Sequence, residues 1–379
     1  MIASYTFAAE SISTLHTELK KALENIEFKP SLAFAFVSVH LPITQIMDAF
    51  KAQDILLFGA TSGGGLLFDK KGDVLMEKGA VFVLTDMNPA AFSLHFLKRN
   101  DKTSLEFGEQ IGKKAMDSFP HPSVILATSG MSLDGQALVD GILELTAKDL
   151  VMYGGMAADE GRFQKTFVFT ETFISEDGAI LLVLDSQKIE LSGMATSGWV
   201  GLGSEFVVSR SEGNVVYEIN GQPALDFYTD YLSVSEDDLP GIGLEYPFML
   251  KTEDNVEIIR AVTQVNSEKR ALVFAGSLPQ GSIISFSTSP GFEILEDTRE
   301  KIIDFHSRHQ QVDLLLLFSC VARHIALGPL ITTEIKLASI KWKVPLLGFF
   351  TFGEYGNNEN NFCRFYNQTF TLALLRDKT

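Results

Sequence analysis

The sequence predicts an α/β (or α+β) protein: repeated strand-helix-strand plus hairpin units forming mixed sheets flanked by helices, in two related domains. Three observations predict it. First, an apolar run, a helix-length spacer, a second apolar run and a glycine turn follow one another three times. Runs 31–40 and 55–58 precede Gly59-Ala60-Thr61-Ser62-Gly63-Gly64-Gly65, and runs 123–129 and 150–153 precede Gly154-Gly155-Met156-Ala157-Ala158-Asp159-Glu160. Runs 313–320 and 344–347 precede Gly348-Phe349-Phe350-Thr351-Phe352-Gly353-Glu354. Second, stretches such as 32–39 are apolar almost throughout, as strands covered on both faces are. Third, turn signals at Gly72-Asp73 and Ser175-Glu176-Asp177-Gly178 follow the first two glycine turns, so each crossover passes into antiparallel strands.

Composition bounds the function. The chain has 379 residues, 46% of them apolar, which is enough for cores of ordinary size. A formal net charge of −17 argues against nucleic acid and against anionic membranes, because both are held by clustered Lys and Arg. Two cysteines, Cys320 and Cys363, are too few for a disulfide framework and form no paired zinc motif. No signal-peptide pattern and no run of about 18 apolar residues occurs, so the expectation is a soluble, cytoplasmic protein.

Taken in order, residues 11–23 place Ile12, Leu15, Leu19 and Leu23 near helical spacing, an amphipathic helix within an N-terminal segment 1–29. Strand 32–39, a short helix opened by Pro42 and strand 55–58 form the first crossover. Runs 66–69 and 74–76 form a hairpin, and 80–84 adds a strand. Residues 92–119 carry Phe96, Phe107, Ile111, Ala115 and Phe119, at least one helix packed by an aromatic stripe. The second crossover has its helix at 133–147, and 165–170 with 179–184 reads as its hairpin. Residues 217–228 read as strand, Asn220-Gly221 turn and a helix opened by Pro223, which sets domains 30–220 and 221–379. Then come an acidic surface loop at 233–243, strands at 257–265, 272–275 and 282–288, and a helix at 291–309. The third crossover follows, and 362–366 with 369–375 closes the chain as one more antiparallel pair. If the units share a sheet, or two related sheets, their turns gather at the carboxyl ends of the strands, where open sheets bind ligands.

The motifs Tyr153-Gly-Gly-Met-Ala-Ala-Asp159, Lys165-Thr-Phe, Gly198-Trp199, Val216-Tyr-Glu-Ile-Asn-Gly-Gln-Pro-Ala-Leu-Asp226, Phe318-Ser-Cys320-Val-Ala-Arg323 and Gly348-Phe-Phe-Thr-Phe-Gly-Glu354 occur in this order. In that order the chain resembles the FIST family over roughly residues 30–375. The resemblance implies a two-part sensory module of bacterial signal transduction, FIST N-terminal followed by FIST C-terminal. It implies binding of a small ligand, amino acids having been proposed, and a partner such as a histidine kinase or chemoreceptor. It leaves haem open as a cofactor, in a nitric-oxide sensor. The family's Cys-x-x-Arg motif falls on Cys320 and Arg323, and its Gly-Glu motif on Gly353 and Glu354. The first turn departs from the pattern, with Gly64-Gly65 in place of Gly-Glu.

The candidate ligand residues are Thr61, Ser62 and Gly64 in the first turn, Asp159 and Lys165 in the second unit, and Cys320, Arg323, Thr351, Gly353 and Glu354 in the third. Arg323 and Glu354 end successive strands of one unit, and a guanidinium fork with a carboxylate could grip an amino acid; the alternative is that the two pair with each other. For Asp159 the alternative is that it orders its own turn. Ser62 sits as in a nucleophile elbow, but Ala60 replaces the first glycine and no histidine is assigned as base. Cys320 beside Arg323 could be a thiolate, although a small cysteine after a leucine run is more often buried. The expectation is a non-catalytic sensor, with a Ser or Cys hydrolase as the enzyme alternative. No phosphate-loop or dinucleotide motif is present.

Overall fold

The computed structural model describes residues 1–146, 150–239, 241–252, 256–358 and 362–378. One order of elements is used three times. Repeat 1 comprises β1 (Ser4–Ala9), α1 (Ile12–Asn25), β2 (Leu32–Val37), α2 (Ile43–Lys51), β3 (Leu56–Thr61), β4 (Gly65–Asp69), β5 (Gly72–Met76) and β6 (Ala80–Thr85). Repeat 2 comprises β7 (Phe92–Lys98), α3 (Ser104–Ser118), β8 (Pro122–Ser129), α4 (Gly135–Leu145), β9 (Met152–Met156), β10 (Val168–Phe169), β11 (Ile174–Ser175) and β12 (Gly178–Asp185).

Repeat 3 opens with β13 (Ile189–Thr196) and is interrupted by an inserted domain. The insertion holds β14 (Val200–Glu212), β15 (Val215–Ile219), β16 (Gln222–Pro223), α5 (Ala224–Leu232), α6 (Gly241–Glu245), β17 (Phe248–Lys251), β18 (Glu257–Arg260), β19 (Val262–Asn266), β20 (Ala271–Phe274) and β21 (Ile283–Thr288). Repeat 3 then resumes with α7 (Glu293–Arg308), β22 (Leu314–Cys320), α8 (Val321–Leu327), α9 (Ile331–Trp342), β23 (Leu346–Thr351), β24 (Glu354–Asn357), β25 (Cys363–Tyr366) and β26 (Phe370–Asp377).

Each repeat builds the centre of its own six-stranded mixed sheet and lends its hairpin to another. Sheet A runs β1-β6-β2-β3-β10-β11, sheet B β13-β26-β22-β23-β4-β5, and sheet C β25-β24-β9-β8-β12-β7. In each, the two crossover strands are parallel and everything added to them is antiparallel. The hairpin of repeat 1 therefore ends in the sheet of repeat 3, that of repeat 2 in the sheet of repeat 1, and that of repeat 3 in the sheet of repeat 2. The inserted domain has its own antiparallel sheet, β18-β17-β21-β14-β15-β20-β19 with β16 beside β15.

The apolar runs become central strands because both their faces are covered. One face of each sheet enters a shared core, where the Phe36 ring stacks on Phe349 at 4.3 Å and Ile125, Leu182 and Leu316 fill the space between. The other face carries the helices: α1 and α2 on sheet A, α3 and α4 on sheet C, α7 and α9 on sheet B. Helix α1 begins at a Ser11–Thr14 capping box and buries Leu15, Leu19 and Ala22. Helices α3 and α4 touch backbone to backbone, since a Cβ at Gly108 would lie 2.1 Å from the Leu138 carbonyl oxygen and one at Gly141 2.0 Å from that of Leu105.

The mixed α/β class read from the sequence is the class observed. Several local expectations are corrected. The three crossovers lie in three sheets, not in one sheet or two. Residues 362–366 and 369–375 do not pair with each other; β25 pairs with β24, whereas β26 pairs with β22 and β13. The second hairpin closes between Phe169 and Ile174, and Gly178–Asp185 pairs with β8 and β7 instead. Phe96 lies on strand β7 and only the later part of 92–119 is helical. The loop expected at 233–243 holds a short 3-10 turn and the start of α6, with Pro240 outside the described residues. Helix α4 stops at Leu145, and the expected end at Ala147 lies outside the described residues.

Candidate functional site

The three glycine turns meet at the carboxyl ends of β3, β9 and β23, joined in a ring by backbone hydrogen bonds. Gly63 N–H donates to the Phe350 carbonyl (2.8 Å) and Phe350 N–H to that of Gly64 (3.0 Å). Ala158 N–H donates to Thr61 O (3.0 Å), and Met156 N–H to Gly353 O (2.8 Å). A Cβ on Gly63 would lie 2.6 Å from the Val321 side chain, and Gly64 has φ +137, so glycine is required on both counts. Thr61 ties in the second unit further, its Oγ1 accepting from Phe167 N–H at 2.9 Å.

Glu354 closes the third turn and is fully buried. Its Oε2 accepts from the N–H and hydroxyl of Thr369 (3.2 and 2.7 Å), and its Oε1 meets the Thr351 hydroxyl, which also reaches Ser319 O at 3.1 Å. Thr351 has one hydroxyl proton and two acceptors beside it. A proton on Oε1 of Glu354 completes the relay, with the carboxyl donating to Thr351 and Thr351 to Ser319 O. Burial pushes the Glu354 carboxyl up to about 8, so at neutral pH most molecules carry that proton.

Arg323 stands on α8, also fully buried, and all five of its N–H groups are engaged. Nε and one terminal nitrogen grip Glu334 of α9 in a bidentate pair (Nε to Oε2, 3.2 Å), the same terminal nitrogen donates to Thr298 Oγ1 (3.1 Å), and the other donates to Ser197 O and Gln368 O. Arg323 thus neither pairs with Glu354 nor offers a free fork. Glu334 was not legible as its partner, because one acidic residue on an amphipathic helix reads as a solvated face. Cys320 precedes Arg323 at the end of β22; burial, then the nearby Glu354, pushes its thiol far up, the reverse of an activated nucleophile.

In the second turn Asp159 is buried and its carboxylate accepts from four consecutive backbone N–H groups, of Arg162, Phe163, Gln164 and Lys165, at 2.6–3.0 Å. The Lys165 side chain points away, to Glu176 at 3.4 Å on the surface. Asp159→Ala strands those four donors and is expected to cost about 3 kcal/mol, read as a lower urea midpoint at unchanged m. An unaltered midpoint would show that the loop carries no stability.

Among the described residues, four buried polar atoms around this junction show no hydrogen-bond partner: Ser62 Oγ, Ser319 Oγ, Gln368 Oε1 and Trp199 Nε1. Ser319 and Gln368 supply carbonyls to the Thr351 and Arg323 networks, the Arg323 guanidinium lies 5.6 Å above the Trp199 ring, and Ser62 adjoins Gly63. His324, stacked on Phe350 at 4.3 Å, is the histidine nearest this cluster in sequence, and burial lowers its affinity for a proton. Among the described residues no group of three or more His, Cys, Asp or Glu side chains could hold a metal.

A family model for the FIST N domain matches residues 31–222, and one for the FIST C domain matches 224–357. The chain belongs to the FIST family. FIST domains are sensory domains of signal transduction. An uncharacterized protein of Methanocaldococcus jannaschii is 31% identical over 209 residues, covering 50% of this chain and 38% of that protein, so the chain spans well under two thirds of that relative. The two FIST models meet at the step into α5, inside the inserted domain, while β24 of the FIST C segment pairs with β9 of the FIST N segment. No helix among the described residues is long and apolar enough to cross a membrane.

Proposed function

We propose that this FIST protein is a non-catalytic sensor that binds a small, amino-acid-like metabolite where the turn junction meets the inserted domain. It passes the bound state to a signalling protein such as a histidine kinase or chemoreceptor. The observation that carries this reading is the set of unpartnered polar atoms, since buried hydrogen-bonding groups without partners are rare and call for an occupant such as a ligand or a water. Two hydroxyls, one amide oxygen and one indole N–H offer donors for a carboxylate and acceptors for an ammonium. Arg323 stands behind them with its donors committed and its charge balanced by Glu334, and Thr61, Gly64, Thr351, Gly353 and Glu354 shape the wall.

The junction is closed, so entry requires the inserted domain to lift. It is held there by Arg323 to Ser197 O and by Gln368 Nε2 to Leu244 O at 3.5 Å, and against α4 and β25 by the buried Arg260, which donates to Gln136 Oε1 and Phe365 O (3.1 Å each), and by Ser277 to Asp134 (2.7 Å). A ligand that binds the lifted and closed states unequally would shift their balance, which is what a partner can read.

The test is calorimetry and thermal shift of the purified chain against the common amino acids and small carboxylates. A ligand at 100 times its Kd stabilises by about 2.7 kcal/mol, a rise of a few degrees. Trp199→Phe keeps the ring and removes the N–H, and is expected to weaken binding about tenfold. Absence of any binder, or a binder indifferent to both Trp199→Phe and Ser62→Ala, overturns the reading.

A further inference from the structure

Strand β13 ends sheet B and, among the described residues, is paired on one side only, with β26. The bond from Lys378 N–H to Lys188 O (2.8 Å) sets the alternation of that ladder. Glu190, Ser192 and Met194 face β26, whereas Leu191, Gly193 and Ala195 turn their N–H and C=O groups to the free edge. A cleft of 470 Å³ runs along that edge, lined by all five residues 191–195, with α7 on one side and β9 and β24 of sheet C on the other. Clefts of 270 and 360 Å³ share walls with it, through Arg308 and through Leu191.

We propose that this slot receives an extended, acidic peptide segment of a partner protein, which adds to sheet B as a further strand. Three features select that occupant. Main-chain donors and acceptors in strand geometry are satisfied by another strand, the usual mode of sheet extension. The floor is apolar, through Tyr153, Leu191 and Phe305, so alternate side chains of an added strand find a place to bury. The charged rim carries a cationic excess of two in a chain of net charge −17: Arg308 pairs with Asp304 and Arg376 with Glu190, and Lys301 and Lys378 add to them.

The test selects octapeptides from a random phage-displayed library on the full chain and measures the winners by fluorescence anisotropy. The expected winners alternate apolar residues with Asp or Glu and protect the amides of Leu191 and Gly193 from hydrogen exchange. Ala195→Pro removes one outward N–H and leaves the β26 ladder intact, as proline on an edge strand does. Binding is expected to weaken at least tenfold in Ala195→Pro and in Arg308→Glu, the latter at an exposed helix position, with melting curves of both variants checking that the fold is kept. Failure to select any binder, or binders unaffected by both substitutions, overturns the proposal. So does a concentration-dependent dimer abolished by Ala195→Pro, which would assign the edge to a second copy.

Discussion

Arg323→Ala is expected to lower the unfolding free energy by about 3–5 kcal/mol, the cost of leaving a buried charge without its partner. The substitution strands the Glu334 carboxylate, fully buried between α7, α8 and α9, with only Thr298 Oγ1 to donate to it (2.8 Å). It also frees Ser197 O and Gln368 O, the points where the inserted domain leaves the three-sheet body and where β25 turns into β26. Against a total stability of typically 5–15 kcal/mol, most of the soluble yield would go with it. Urea denaturation of the single variant and of Arg323→Met with Glu334→Leu separates the causes. The double variant is expected to recover most of the loss, because an apolar pair of similar volume removes the stranded charge. A single variant that loses under 1 kcal/mol would mean that water reaches Glu334.

The second large effect is a dependence of stability on pH through Glu354. Its folded pKa is raised, to about 8, above the value of 4.5 that it has when free. The folded state therefore holds the proton more tightly, and the stabilisation is complete below pH 4.5 and is lost as pH rises through 8. Between pH 5 and pH 9 this group alone is expected to remove about 4 kcal/mol. Glu354→Gln imitates the protonated acid: its amide donates to Thr351 and its carbonyl accepts from Thr369. Melting curves across that range should show the variant close to wild type at pH 5, more stable than wild type at pH 9, and much flatter between. Parallel curves for the two proteins would place the ionisation elsewhere.

The crossovers were legible because a strand buried on both faces leaves an unbroken apolar run and a tight turn leaves glycines. Leu314–Cys320 and Leu32–Val37 carry that signature wherever they lie in the fold. The destination of the hairpins was not legible. Gly65–Asp69 pairs with Leu346–Thr351, and nothing in either stretch records a partner so distant in the chain. The order β13, insertion, α7 hides a repeat for the same reason, since the inserted domain separates elements that adjoin in the other two. Among the candidate residues, the sequence singled out Arg323, Glu354, Asp159 and the turns, and the structure brings the turns together. What it could not supply were the partners Glu334, Thr369 and Gln368, whose roles exist only through the packing of α9 and β26 on the rest.

The exchange of hairpins sets the order in which a growing chain can become a protein. The β4–β5 hairpin leaves the ribosome early and finds its place only against β23, some 270 residues later. At synthesis rates of about 5–20 residues per second it waits on the order of 15–50 s with an apolar edge unclaimed. Sheet A likewise stays incomplete until residues 168–175 arrive from repeat 2. No repeat can finish its sheet alone, and the chain closes all three only when the last repeat has emerged.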